Sequence, residues 1–216
     1  DPNVVNSKQD FDPIDKFLWA NLPFSVQYNG GPRFAPNAYM TDYLTNQAVD
    51  VIKANRNRPF FMYVAYNAPH TPLQATKADY AALTAIDDST PEGRRKRVYG
   101  AMLVALDRGV GRIMAELKAQ GLDNNTMVVF TSDNGGPHYI GLPDINRPYR
   151  GWKITFFEGG IRVPFGIRWP AQIAPGSTSP VPVSTFDLFA TAAAAGGAPL
   201  PTDRAIDGVD LLPWAQ

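Results

Sequence analysis

Thr126-Met127-Val128-Val129-Phe130-Thr131-Ser132-Asp133-Asn134-Gly135-Gly136 is an apolar run that stops in a polar, glycine-ended turn. Met127 to Phe130 suit a strand buried on both faces of a sheet. In open α/β sheets ligands sit just beyond the carboxyl ends of the strands, and that is where Asp133 and Asn134 fall. A carboxylate beside an amide carbonyl offers two hard oxygen donors, suited to Ca²⁺ or Mg²⁺ and poorly suited to a soft metal. Asn134-Gly135 also favours a hairpin turn. The residues that follow, Pro137-His138-Tyr139-Ile140-Gly141, do not supply the second apolar strand a hairpin needs.

Upstream, residues 60–66 (FFMYVAY) form a second continuous apolar run, read as another central strand, leading into Asn67-Ala68-Pro69-His70-Thr71-Pro72. Between the two runs a long helix is expected. Thr90 is its cap, Pro91 lies in its first turn, its apolar stripe runs through Tyr99, Met102, Leu103, Leu106, Val110, Ile113, Met114 and Leu117, and Gly121 closes it. Strand, helix and strand make a βαβ unit with a right-handed crossover, so both strands end on one edge of a parallel sheet. His70 and the Asp133-Asn134 pair then converge on one rim.

Earlier still, Met40, Tyr43, Leu44, Gln47, Ala48, Val51 and Ile52 follow helical spacing, with entry near Asn37 or Thr41. Residues 1–36 are loop-rich and carry scattered aromatics (Phe11, Phe17, Trp19, Phe24, Tyr28, Phe34) that pack them on a surface. Downstream, residues 146–160 are basic and aromatic. Residues 161–169 offer an edge or short strand interrupted by Pro164. Ser184 can cap a helix with Asp187 placed as a capping-box acid, and Gly196-Gly197 end it. The reading is thus an α/β core over 37–197, with a proline-punctuated surface tail over 198–216.

The totals agree with a globular α/β enzyme of long loops: 216 residues, 44% hydrophobic, with 20 prolines and 18 glycines. Twenty basic and twenty acidic residues cancel, so no global field draws in nucleic acid or an anionic membrane. No run reaches the length of a membrane span. Cysteine is absent, which excludes disulfides and thiolate metal sites, and two histidines cannot build a His-rich zinc centre. Of those two, His138 reads as a structural hydrogen-bonder. Lys153, by default a solvated charge, lies among aromatics and can serve as a fixed counter-charge for an oxyanion. Asn124-Asn125-Thr126 is a possible glycosylation sequon. The chain opens Asp1-Pro2-Asn3 without Met and reads as an internal piece of something longer.

Residues 59–72 (PFFMYVAYNAPHTP), 126–136 and 150–164 (RGWKITFFEGGIRVP) resemble, in order and spacing, the formylglycine-dependent sulfatases of the alkaline phosphatase superfamily. Residues 187–189 (DLF) and 207–213 (DGVDLLP) are similar to that family too. The resemblance implies a mixed, largely parallel sheet sandwiched by helices, of which this chain holds an incomplete domain, and hydrolysis of a small-molecule or saccharide sulfate ester. It implies Asp133 and Asn134 as ligands of a divalent metal, normally Ca²⁺. His70 and Lys153 are implied as catalytic and sulfate-binding residues, His70 also assisting departure of the alcohol. Arg150, Glu158, Gly159, Gly160 and Arg162 match the family's framework around the lysine. The family pattern Arg-Gly-Gly-Lys-Gly carries Trp152 and Ile154 here in place of the two glycines around Lys153, which narrows the pocket. A periplasmic, secreted or lysosomal location is what such a family suggests.

The family's nucleophile, a formylglycine made from Cys or Ser in a Cys/Ser-x-Pro-x-Arg string, is not found. Ser89-Thr90-Pro91-Glu92-Gly93-Arg94 places its arginine one position late and reads as a helix cap. The nucleophile and the remaining metal ligands are expected in a preceding segment. Two alternatives stand beside the sulfatase reading: a phosphodiesterase or phosphonate hydrolase of the same superfamily, and a non-catalytic remnant acting as a binding module.

Overall fold

A computed structural model describes residues 3–6 and 25–215. Phe11, Phe17, Trp19 and Phe24 lie outside the described residues. Two long helices organise the rest. Helix α1 (Met40–Asn55) starts between the two expected entry points, with Tyr39 as its N-cap. The helix of residues 91–119 packs against α1 and takes its start from Thr90, whose hydroxyl accepts the Gly93 N–H at 3.0 Å, with Pro91 in the first turn. Between them lie strand β4 (Gln74–Thr76) and the short α2 (Lys77–Ala82), which makes the long helix α3 (Pro91–Ala119).

The buried line of α3 is Val98, Ala101, Met102, Ala105, Gly109, Ile113 and Leu117. It is centred on smaller residues than the expected stripe, and Leu103 is exposed. Small side chains there let neighbours approach closely. A Cβ on Gly109 would lie 2.6 Å from Thr45 Oγ1 and 2.9 Å from Tyr66 Oη, so this glycine is where α1, α3 and residues 60–66 meet. Thr45 donates to Thr41 O at 2.8 Å and lies 2.8 Å from Tyr66 Oη, so no polar atom at this contact is left unpaired.

Residues 60–66 correct the strand expectation. They run extended, but no sheet partner is assigned to them among the described residues. Phe60, Met62, Val64 and Tyr66 pack on the Ala48, Ile52, Ile113 and Leu117 cluster. Phe61 and Tyr63 face outward, 81% and 83% exposed. The apolar run therefore has one covered face, and period-two burial replaces the two-sided burial read from its composition.

The sheet is also not as expected. Every ladder among the described residues is antiparallel: β1 (Val4–Asn6) with β4, β2 (Val26–Gln27) with β3 (Arg33–Phe34), and β5 (Val128–Thr131) with β6 (Phe165–Arg168). Strand β5 is in place, with Val128 on the α1–α3 cluster, but Phe130 is 47% exposed. Its partner is a distant strand, Thr131 facing Phe165, so Asn134-Gly135 is not a hairpin turn. The segment expected as a strand from Ile161 begins as a short helix, α4 (Glu158–Ile161), and the strand starts just after Pro164.

Downstream, α5 (Asp187–Ala195) is capped at Phe186 rather than Ser184. Asp187 does reach back as a capping acid, accepting the Ser184 N–H at 2.7 Å, and its other oxygen accepts the Val209 N–H at 2.9 Å. That second bond ties the tail to the body. Leu211 is buried, its N–H bonded to Thr191 Oγ1 at 3.0 Å, ahead of α6 (Leu212–Ala215). The architecture is mixed α/β. No helix among the described residues is long and apolar enough to cross a membrane.

Candidate active site

The turn that leaves β5 docks backbone to backbone on residues 150–160. Gly135 N–H donates to Gly160 O at 2.9 Å, and Lys153 N–H donates to Gly136 O at 3.2 Å. A Cβ at Gly135 would sit 1.8 Å from Gly159 O, so any other residue would push the two segments apart. Asn146 clamps the junction: its Oδ1 accepts Gly136 N–H at 2.8 Å, and its Nδ2 donates to Gly136 O at 2.8 Å and Gly151 O at 3.1 Å. Sequence reasoning missed Asn146, because an asparagine in a polar loop carries no signal of the backbone it will bridge.

This docking fixes Lys153. From there its side chain reaches His70, with Nζ 3.1 Å from His70 Nε2. The His70 Nδ1 lies 2.7 Å from Thr71 O, a carbonyl that can only accept. Nδ1 therefore carries the proton, and Nε2 presents its lone pair to the Lys153 ammonium. His70 is exposed and its backbone N–H closes a turn onto Asn67 O at 2.8 Å. A cation and an imidazole thus stand side by side, one half-buried and one exposed, which suits an anion.

Asp133 is exposed, and among the described residues its carboxylate has no hydrogen-bond or ion-pair partner. Asn134 donates Nδ2–H to Gly135 O at 3.0 Å, which leaves its Oδ1 free to accept. Two free hard oxygen donors side by side fit a share of a Ca²⁺ or Mg²⁺ shell. They are only a share: no three His, Asp or Glu among the described residues are grouped to hold a metal, and Ca²⁺ takes about six to eight oxygens. Among the described residues no hydrogen bond joins either residue to His70 or Lys153; they are linked through Gly136.

The remaining cations near Lys153 are spoken for. Arg150 lies over the Phe157 ring at 4.0 Å, and Arg162 over Tyr149 at 4.6 Å while pairing with Glu158 at 3.1 Å. His138 bonds through no ring nitrogen among the described residues; its ring packs on Trp152, centroids 4.8 Å apart and tilted 40°. Residues 152–155 form a tight turn closed by Thr155 N–H to Trp152 O at 2.9 Å. Its third residue, Ile154, has φ +84°, a value that turns of this kind normally give to glycine. For a β-branched residue this is strain of about 1–3 kcal/mol. Thr155 holds it in place, accepting Trp152 N–H at 3.0 Å and donating to Trp152 O at 2.7 Å.

Comparison with known proteins follows the same lines. A family model described as Sulfatase matches residues 3–198. The chain is 36% identical over 214 residues to steryl-sulfatase of Rattus norvegicus, covering 94% of this chain and 33% of that protein. It is 35% identical over 217 residues to N-acetylgalactosamine-6-sulfatase of Mus musculus, covering 94% and 39%. The crystal structure of Ps i-CgsB in complex with k-i-k-neocarrahexaose superposes with a TM-score of 0.80 at 34% identity, over 97% of this chain and 47% of that one. The chain therefore spans about a third to two fifths of the curated relatives it matches.

Proposed function

The chain belongs to the sulfatase family, and from that membership we propose that it contributes the anion-binding half of a sulfuric ester hydrolase site. The observation that carries the reading is the Lys153–His70 pair, 3.1 Å apart and anchored to the turn that bears Asp133 and Asn134. In the whole enzyme β5 and residues 60–66 would belong to a mixed, largely parallel sheet. The outward faces of Phe61 and Tyr63, on a run without a ladder among the described residues, are what such a sheet would cover.

Asp133 and Asn134 would hold one side of a Ca²⁺ or Mg²⁺, which would supply electrophilic pull on an ester oxygen, while a formylglycine from a preceding segment would supply the nucleophile. Lys153 donates to a non-bridging sulfate oxygen and offsets its charge as the bond to the leaving oxygen breaks. With an anion between them, Lys153 and His70 no longer need each other. The exposed His70 Nε2, taking a proton from solvent, passes it to the bridging oxygen as the bond to sulfur breaks and lets the alcohol leave neutral. Thr71 O keeps the ring oriented throughout by holding Nδ1–H.

Matched 4-nitrophenyl sulfate and 4-nitrophenyl phosphate test this in the full-length protein. Preferential hydrolysis of the sulfate, lost in Lys153→Ala, is expected; preference for the phosphate would replace the reading with a phosphohydrolase of the same architecture.

A further inference from the structure

We propose that Trp152 and Ile154 determine specificity, forming an apolar wall on the two flanks of Lys153 that receives the ring of a cyclic sulfate ester. This rests on the sulfatase reading of the Lys153–His70 site. Three consecutive residues of one turn carry the argument. Lys153 reaches His70 and so marks where the anion sits. Trp152 and Ile154 adjoin it in the same tight turn, so theirs are the side chains attached nearest along the chain to the lysine that holds the anion.

Neither flank is buried among the described residues. Ile154 is 81% exposed, so its side chain gains little from burial, and it holds φ +84° where a residue without Cβ would be unstrained. A strained, exposed, β-branched residue next to an anion-binding lysine is the position where a side chain in contact with the substrate would stand. Trp152 is 43% exposed, with His138 set against its ring. That contact covers part of the indole and leaves another part of its surface exposed. Both flanks are apolar and uncharged. They would recognise the carbon skeleton beside the ester oxygen, and they add nothing to recognition of the sulfate. The chemistry they fit is a ring with an apolar face, either an aryl ring or the C–H face of a pyranose.

The test measures kcat/KM of the full-length enzyme on 4-nitrophenyl sulfate, galactose 6-sulfate and a short acyclic alkyl sulfate. Wild type is compared with Ile154→Ala, Ile154→Gly and Trp152→Ala. The preference for cyclic over acyclic ester is expected to fall about ten-fold in each variant, mainly through KM, which is the scale of trimming an apolar group from a binding pocket. The cyclic ester that loses more identifies the ring type. Ile154→Gly guards against misfolding, since it removes the side chain and the strain together and should melt no lower than wild type. Equal losses on all three esters would mean that the turn only positions Lys153, and an unchanged preference would mean that the wall touches nothing; either overturns the proposal. A folded wild type that hydrolyses none of the three esters would bring down the sulfatase reading itself.

Discussion

The Nζ of Lys153 lies 3.1 Å from Nε2 of His70 although the two residues are 83 positions apart in sequence. The imidazole acts as acceptor in that contact, because its other nitrogen is committed to Thr71 O at 2.7 Å. A lysine held this way is placed in advance beside the imidazole, which limits the reorganisation needed when an anion comes between the two.

Replacing Lys153 by Ala should lower kcat on a sulfate ester by about 10²–10³, with the melting temperature almost unmoved. Its ammonium bonds to an exposed histidine and supports no packing, so kinetics and thermal melts on the same sample should diverge. Wild-type kinetics would remove it from the site.

Asp133→Ala should abolish both turnover and stoichiometric uptake of Ca²⁺, followed by isothermal titration of the metal-stripped full-length protein. The carboxylate has no partner within the described residues, so its loss should not lower stability. Undiminished metal binding would send the ligand role elsewhere.

Asn146→Ala removes the three hydrogen bonds that tie Gly136 to Gly151. A cost of about 2–3 kcal/mol is expected from leaving those backbone groups without their partner, together with a drop in kcat as Lys153 loses its anchor. Retention of full activity would show that the backbone bonds Gly135–Gly160 and Lys153–Gly136 hold the junction without it.

Ile154→Gly should raise the melting temperature by about 2–4 °C, corresponding to roughly 1 kcal/mol of released strain at φ +84°. Greater freedom of glycine in the unfolded chain works against part of this gain. A lower melting temperature would mean that the exposed side chain packs more than its 81% exposure implies.

Asp79 anchors α2 to α3. Burial raises its carboxyl, but hydrogen bonds from Arg108 and the Thr76 hydroxyl outweigh it and hold the group below the ordinary carboxylate range. A lowered folded value means that the contribution is full above the unfolded value of about 4 and disappears as pH falls through the folded one. Asp79→Asn should therefore cost about 2 kcal/mol at neutral pH, and the gap from wild type should narrow in urea melts as the pH is taken below the ordinary carboxylate range. A pH-independent gap would assign the loss to packing.

Some of this is legible residue by residue. The Thr90 cap, the proline after it and the apolar spacing place α3, because capping and periodicity act between neighbours along the chain. The run before Ser132 is β5 for the same reason, and the family strings single out His70 and Lys153, which the fold brings to 3.1 Å. Residues 60–66 read as doubly buried because composition alone cannot count a strand's neighbours. What the run meets on its second face depends on chain elsewhere.

The amino-acid sequence by itself determined the two long helices, the helix that begins at Asp187, the strand before the candidate site and the kinds of side chain that site carries, since those follow from local backbone preference and side-chain chemistry. Tertiary structure alone decided that Lys153 meets His70, that Asn146 closes the junction and that Ile154 carries a left-handed backbone. These depend on two loops docking through main-chain N–H and C=O groups, which nearly every residue carries alike and which side-chain identity therefore does not specify.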